Sequence, residues 1–312
     1  MTSQIFAVDQ AIPVNDLTAT SVPQVAVIVA SVRRPEHLGN LLERLAGQSV
    51  LPRQVVLSLV HAADAPKRAE YPFAVSVILG SSGLTLQRNR GLDGLLPDID
   101  VALFYDDDFV PSRFAIAGVA SFFAAPEVAG ATGLVIQDGI LGPGIAPAEA
   151  LQIVNTSDEQ GNPNDTGVVE YRRSLYGCNM AYRLSAIGGL RFDEGLPLYG
   201  WLEDMDFGGQ IEQPLAYTKA FFGVHCGEKH GRETTGRRLG YSQICNPVYM
   251  WRKGTVGGAV AFKLILRNLI ANHVKFLWPE PWIDRRGRAT GNWIAIADLL
   301  RDKARPARML EL

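Results

Sequence analysis

The chain has 312 residues, 47% hydrophobic and 20% charged, a balance that suits a globular protein with room for one large domain or two small ones. Lys and Arg number 30 against 32 Asp and Glu, for a formal charge of −2, which excludes a general nucleic-acid binder. Three cysteines, Cys178, Cys226 and Cys245, show no metal-type spacing and are too few for a disulfide scaffold, which points to a reducing, cytoplasmic setting.

Residues 1–22 read as a loose leader without the basic start or continuous apolar core of a signal peptide. Gln24 to Ala30 is a β-branched apolar strand. Pro35 then opens a helix whose Leu38, Leu41, Leu42 and Leu45 form one apolar stripe. Gln54 to Val60 and Ala74 to Leu79 read as strands. Gly80 to Gly83 turns into a helix through Arg88 and Leu92. Val101 to Tyr105 is a fourth strand. The alternation implies right-handed crossovers and a doubly wound parallel sheet. Pro111 to Ala124 is expected to be helical and Ala129 to Ile136 a strand. Residues 137–167, rich in Gly, Pro, Asn and Asp, are expected to form a mobile loop over the site. Order returns over 168–184. Ala220 to His225 is a strand, and the chain beyond Tyr241 is mainly helical.

Residues 251–312 carry 12 Lys and Arg against 5 Asp and Glu, so a basic end follows an acidic body. Val256 to Ala271 is apolar but broken by Lys263 and Arg267. It is too short to span a membrane and reads as an amphipathic helix that packs on the body or lies on a membrane.

Asp106-Asp107-Asp108 is the most informative stretch. Three carboxylates at the end of a buried strand repel one another unless a cation sits among them. Carboxylate oxygens suit Mg2+ or Mn2+, and the carboxyl ends of strands in an open α/β sheet are where ligands bind.

Further motifs follow in a fixed order. Ala30-Ser31-Val32-Arg33-Arg34-Pro35-Glu36 comes after the first strand, then Gln87-Arg88-Asn89-Arg90-Gly91-Leu92, then the Asp triplet. Gly177-Cys178-Asn179-Met180 and Phe192-Asp193-Glu194 come next, then Tyr199-Gly200-Trp201-Leu202-Glu203-Asp204-Met205-Asp206, and His225 closes a strand. Over about residues 24–310 this ordered set resembles the family 2 glycosyltransferases of the GT-A fold, with the triplet similar to the family's D-x-D.

The resemblance implies a Rossmann-like α/β domain over 23–240, with a mostly parallel sheet flanked by helices and a helical extension over 241–312. Residues 23–136 would form the nucleotide half and 168–240 the acceptor half. It implies an inverting transfer from a UDP-, dTDP- or GDP-type sugar to a saccharide or lipid-linked acceptor, with Mn2+ or Mg2+ as cofactor. Peripheral contact at the inner membrane face and a homo-oligomer are left open as partners. Asp106 would face ribose and metal, and Asp108 would ligate the metal. Asp107 would point to the other side of an extended backbone. His225 is the expected nitrogen ligand, with His230 as its rival. Asp204 would take the acceptor proton and Glu203 would orient it or the acceptor. Asp206 reads as a helix-dipole partner. Tyr199 and Trp201 offer aromatic faces to the acceptor sugar. Arg34 and Arg88 are expected on the diphosphate, with Ala30, Ser31 and Glu36 on the nucleotide side.

The chain departs from the family after the second strand, where a carboxylate usually grips the base. Leu59-Val60-His61-Ala62-Ala63 stands there, and Asp64 comes later. Asp106-x-Asp108-x-Val110 also fits the nucleophile motif of haloacid-dehalogenase-type phosphohydrolases, but no later lysine and paired-aspartate segment accompanies it. A catalytically silent nucleotide-sugar binder would have no need of Asp204.

Overall fold

The computed structural model describes residues 22–67, 70–125, 128–160, 167–229 and 235–312. The expected leader, apart from residue 22, and His230 lie outside them.

The core is a sheet of β1 (Val25–Ala30), β2 (Gln54–Leu59), β3 (Ala74–Leu79), β4 (Val101–Asp106), β5 (Phe109–Pro111), β6 (Gly130–Asp138), β7 (Val168–Arg172), β8 (Asn179–Arg183) and β9 (Leu215–His225). Its order is β3-β2-β1-β4-β8-β6-β9-β5, with β7 paired to β9. The first four strands are parallel, as the strand–helix alternation predicts. β8 then runs antiparallel to both β4 and β6, and β6 runs parallel to β9.

Local sequence explains the elements. β1 is Val-Ala-Val-Ile-Val-Ala, and its first five residues are buried, as a strand covered on both faces requires. Helix α1 (Pro35–Ala46) starts with proline near its N-terminus and buries Leu38, Leu41, Leu42 and Leu45, each stabilising by roughly 1.5–3 kcal/mol. Helix α2 (Leu84–Asp93) packs on β1 and β2, and α3 (Ala115–Ala124) packs on β9. β1 and β4 pair in register, with Ala30 beside Asp106. The order 3-2-1-4 reverses direction here, so the carboxyl ends of these two strands form a natural crevice.

Residues 137–160 are not the expected loop, and 161–166 of that stretch lie outside the described residues. β6 runs on to Asp138, a 3₁₀ turn covers Gly139–Leu141, and helix α4 spans Pro147–Glu159. Its Ala150 and Val154, four apart, face the core. Asp158 is buried, accepting from Ser112 Oγ at 2.5 Å, Arg44 Nη2 at 2.7 Å and the Arg113 N–H at 3.0 Å. The polar composition hid this inward-facing stripe. The expected helix from Pro111 also begins later, because Phe109 to Pro111 pairs as β5.

Short helices α5 (Leu184–Ile187) and α6 (Glu203–Gly209) precede the C-terminal helices α7 (Gly236–Lys253), α8 (Gly258–Val274) and α9 (Arg285–Leu300). α7 and α9 approach so closely that a Cβ on Gly240 would lie 2.1 Å from the Arg288 carbonyl oxygen, and one on Gly291 would lie 2.0 Å from that of Arg237. No helix among the described residues is long and apolar enough to cross a membrane.

Candidate active site

The sheet register builds the centre. β5 turns back along β9 so that Phe109 faces His225, and the Cys226 N–H donates to the Asp108 carbonyl at 3.0 Å. β6 sets Asp138 opposite His225 on the other side. His225 Nε2 therefore lies 3.4 Å from Asp108 Oδ1 and 3.8 Å from Asp106 Oδ2. Ligand atoms of Asp106, Asp108 and His225 all fall within 4.8 Å of one another.

His225 Nδ1 sits 2.9 Å from Asp138 Oδ1, and Tyr176 donates its hydroxyl to Asp138 Oδ2 at 2.7 Å. That contact holds the ring so that Nε2 faces Asp106 and Asp108. Two carboxylate oxygens and one oriented imidazole nitrogen form a donor set that fits a divalent cation, and the nitrogen suits Mn2+ better than Mg2+.

Burial opposes a charged imidazole, but Asp108 and Asp138 outweigh it and raise the His225 pKa. Burial likewise opposes charge on Asp108. The His225 hydrogen bond and charge and the Glu228 N–H overcome it, holding Asp108 down to about 2. Asp108 therefore stays an anion, as a metal ligand must.

Asp107 turns the other way, as alternation predicts. It accepts from Ser31 Oγ at 2.5 Å and Arg34 Nη1 at 2.7 Å. Arg34 also reaches Glu228 at 3.9 Å, and Glu228 meets His37 Nε2 at 2.6 Å. These residues line the side of the crevice where β1 and α1 meet. Glu36 is exposed in the first turn of α1. Asp64 is buried in a 3₁₀ turn after β2, where its carboxylate accepts from the His61 N–H at 3.2 Å. Asp64 thus caps its own short turn, one turn beyond the place where the resemblance implies a carboxylate.

The second acidic cluster sits at the N-terminus of α6. Leu198 (φ 58°), Gly200 (φ 54°) and Leu202 (φ 72°) all take left-handed backbone conformations. For each leucine this costs roughly 1–2 kcal/mol, a local strain that turns the helix start inward. Glu203 is buried against Arg88 Nη1. Asp204 is partly exposed and accepts from the Gly177 N–H at 3.0 Å and the Met205 N–H at 2.8 Å.

The structure corrects the expectation for Arg88. Its side chain is only 3% exposed, binding Glu203, Asp106 Oδ1 at 3.3 Å and the Gly177 carbonyl at 3.0 Å. It also lies over the Phe104 and Phe192 rings. A guanidinium so committed has no free fork for a diphosphate. It ties the two acidic clusters together instead.

Burial pushes the Glu203 carboxyl up to about 8, against the Arg88 charge beside it. Burial also raises Asp204, again opposed by Arg88 and by its two backbone N–H donors. Asp206 is no mere dipole partner. It is fully buried, with Lys253 Nζ at 2.7 Å and Thr255 Oγ1 at 2.6 Å, and so fastens α6 to the end of α7. Tyr199 packs partly buried against the Tyr241–Ile244 cluster of α7. Trp201 is partly exposed, and its carbonyl accepts from Asn246 Nδ2 at 2.9 Å.

Asp138, Tyr176 and Glu228 escape sequence reasoning. Asp138 carries one usable signal, a carboxylate ending a strand, but composition had placed it in a loop.

No protein-family model and no curated protein matches the chain. Among solved structures it is similar to S. aureus TarS 1–349, with a TM-score of 0.55 and 15% identity over 92% of this chain and 82% of that one. The same values hold for TarS 1–349 in complex with UDP-GlcNAc. For the UDP complex the TM-score is 0.52 and the identity 13%, over 89% of this chain and 91% of that one. Only 54% of a longer TarS structure is covered. At these identities the shared property is the mixed α/β fold, a central sheet with helices on both sides and helices beyond it.

Proposed function

We propose that the protein is an inverting, divalent-metal-dependent glycosyltransferase. It moves a sugar from a nucleotide-sugar donor to a hydroxyl of a saccharide, lipid-linked or other small acceptor. The observation that carries this reading is Arg88, whose guanidinium joins the Asp106–Asp108–His225 group to the Glu203–Asp204 pair. One cluster has the donor set for a cation and the other holds a carboxylate of raised basicity.

Asp106, Asp108 and His225 would hold a divalent ion, which when bound would supply positive charge to offset the departing diphosphate. Ala30, Ser31 and Arg34, at and just after the end of β1, would meet the nucleotide, with Glu36 in the first turn of α1 and Asp64 in the turn after β2 as further candidates. Asp204 is the base. Its two backbone hydrogen bonds fix the carboxylate, its partial exposure leaves it reachable, and its raised pKa makes it a stronger proton acceptor. Glu203, buried on Arg88, positions that arginine and through it Asp106. Trp201 flanks the acceptor side. The fold's likeness to TarS complexes carrying UDP and UDP-GlcNAc puts uridine donors first among the UDP, dTDP and GDP candidates.

The test is incubation with a panel of UDP-, dTDP- and GDP-sugars and candidate acceptors, with Mn2+ and with chelator, read by nucleotide release. Metal-dependent release from one donor class is expected. No metal-dependent turnover with any donor would overturn the reading.

A further inference from the structure

A row of exposed apolar side chains runs along α8 and into the turn after it. Phe262, Leu266, Ile270 and Val274 recur every four residues and so share one line of the helix. Phe262 is 66% exposed and Val274 70%, while Ala261, Leu264 and Asn272 on the opposite face are buried. Trp278, 80% exposed, continues the row beyond the helix. The exposed Trp293 of α9 flanks it, its ring 5.7 Å from that of His273.

Charge decides what covers this face. No Asp or Glu occurs between Lys253 and Glu280. Lys263 and Arg267 are exposed beside the apolar row, and neither makes an ion pair among the described residues. A two-fold contact with a second copy would bring two such cation-bearing faces together, with no carboxylate on α8 to offset them. A membrane span is excluded for this helix by its length and its cations.

We propose that α8 and the Trp278 turn form a docking face for an anionic lipid surface. The apolar row enters the acyl boundary, Trp278 and Trp293 lie at headgroup level, and Lys263 and Arg267 meet the lipid phosphates. This face lies on the C-terminal helices, apart from the acidic clusters, so it stands whatever reaction the crevice performs.

Flotation of the full chain with phosphatidylcholine vesicles, alone or mixed with phosphatidylglycerol, tests the proposal. Binding is expected only to the mixed vesicles and should fall as salt rises. Lys263→Ala with Arg267→Ala should weaken it about thirtyfold, two cations near an anionic surface being removed. Phe262→Ser with Ile270→Ser should abolish it, with an unchanged circular dichroism spectrum showing that the fold is intact. Should that variant misfold, the charge variant decides. No binding to mixed vesicles, equal binding to neutral ones, or a dimer lost in the same variants would each overturn the proposal. Flotation does not read transfer, so a protein inactive on every donor can still float, and one that transfers sugar can fail to.

Discussion

Asp138 never reaches the Asp106–Asp108 carboxylates in sequence terms, yet it decides which nitrogen of His225 they meet. Asp138→Asn should keep the fold and weaken Mn2+ binding about 10- to 100-fold, the usual cost of losing a carboxylate behind a ligating histidine. Calorimetric titration with Mn2+ alone checks this, and unchanged affinity would show that the 2.9 Å contact is incidental. Two pH effects follow from the second cluster. In its proposed role as the base Asp204 works only when ionised, so kcat/KM should fall as pH drops through its raised pKa, with the limb above the ordinary value of 3.8. A midpoint at or below that value would remove the burial effect from the explanation. Glu203 works on stability. Its folded pKa of about 8 exceeds the ordinary 4.5, so the folded chain holds a proton that the unfolded chain releases. The stability this gives is complete below 4.5 and is lost as pH rises towards 8. Urea unfolding across that window should show the decline in the native protein and a flatter profile in Glu203→Gln.

Among the elements, α4 shows how composition misleads. Pro147–Glu159 is rich in polar residues, but Asp158 is buried between Ser112, Arg44 and the Arg113 N–H, anchoring the helix beside β5 and α1. Asp158→Ala should therefore cost about 3 kcal/mol, near the lower end for breaking a buried charge network, because Arg44 keeps some access to water. Thermal unfolding reads the loss, and a shift within error would show that the network is slack. The elements legible in sequence are those with a strong period or a hydrophobic run: β1 to β4, α1 and α2, then β6, α3, the end of β9 and the C-terminal helices. Their order fixed where the Asp triplet emerges. What stayed hidden depended on pairing across long separations. β5 is three residues long, and its role is visible only once Phe109 faces His225. Arg88 read as a phosphate ligand because nothing in its neighbourhood announces that Glu203, over a hundred residues away, buries it.

At the scale of the molecule, the sheet supplies two walls of one crevice. β4, β5, β6 and β9 set the Asp106–Asp108–His225 group, while the strained turn before α6 carries Glu203 and Asp204 to the other side of Arg88. Asp206 and Lys253 then couple that turn to the C-terminal helices. Such a division of labour predicts that the two walls fail differently. The most direct measurement is donor binding by calorimetry, set beside the transfer rate, for Asp108→Asn and Asp204→Asn with the nucleotide sugar that supports turnover. The expected result is that Asp108→Asn loses metal-dependent donor binding and turnover together. Asp204→Asn should bind donor almost normally while turnover falls roughly a hundredfold to ten-thousandfold. If Asp204→Asn lost donor binding as fully as Asp108→Asn, Asp204 would belong to the donor site, and its assignment as the base that activates the acceptor would be wrong.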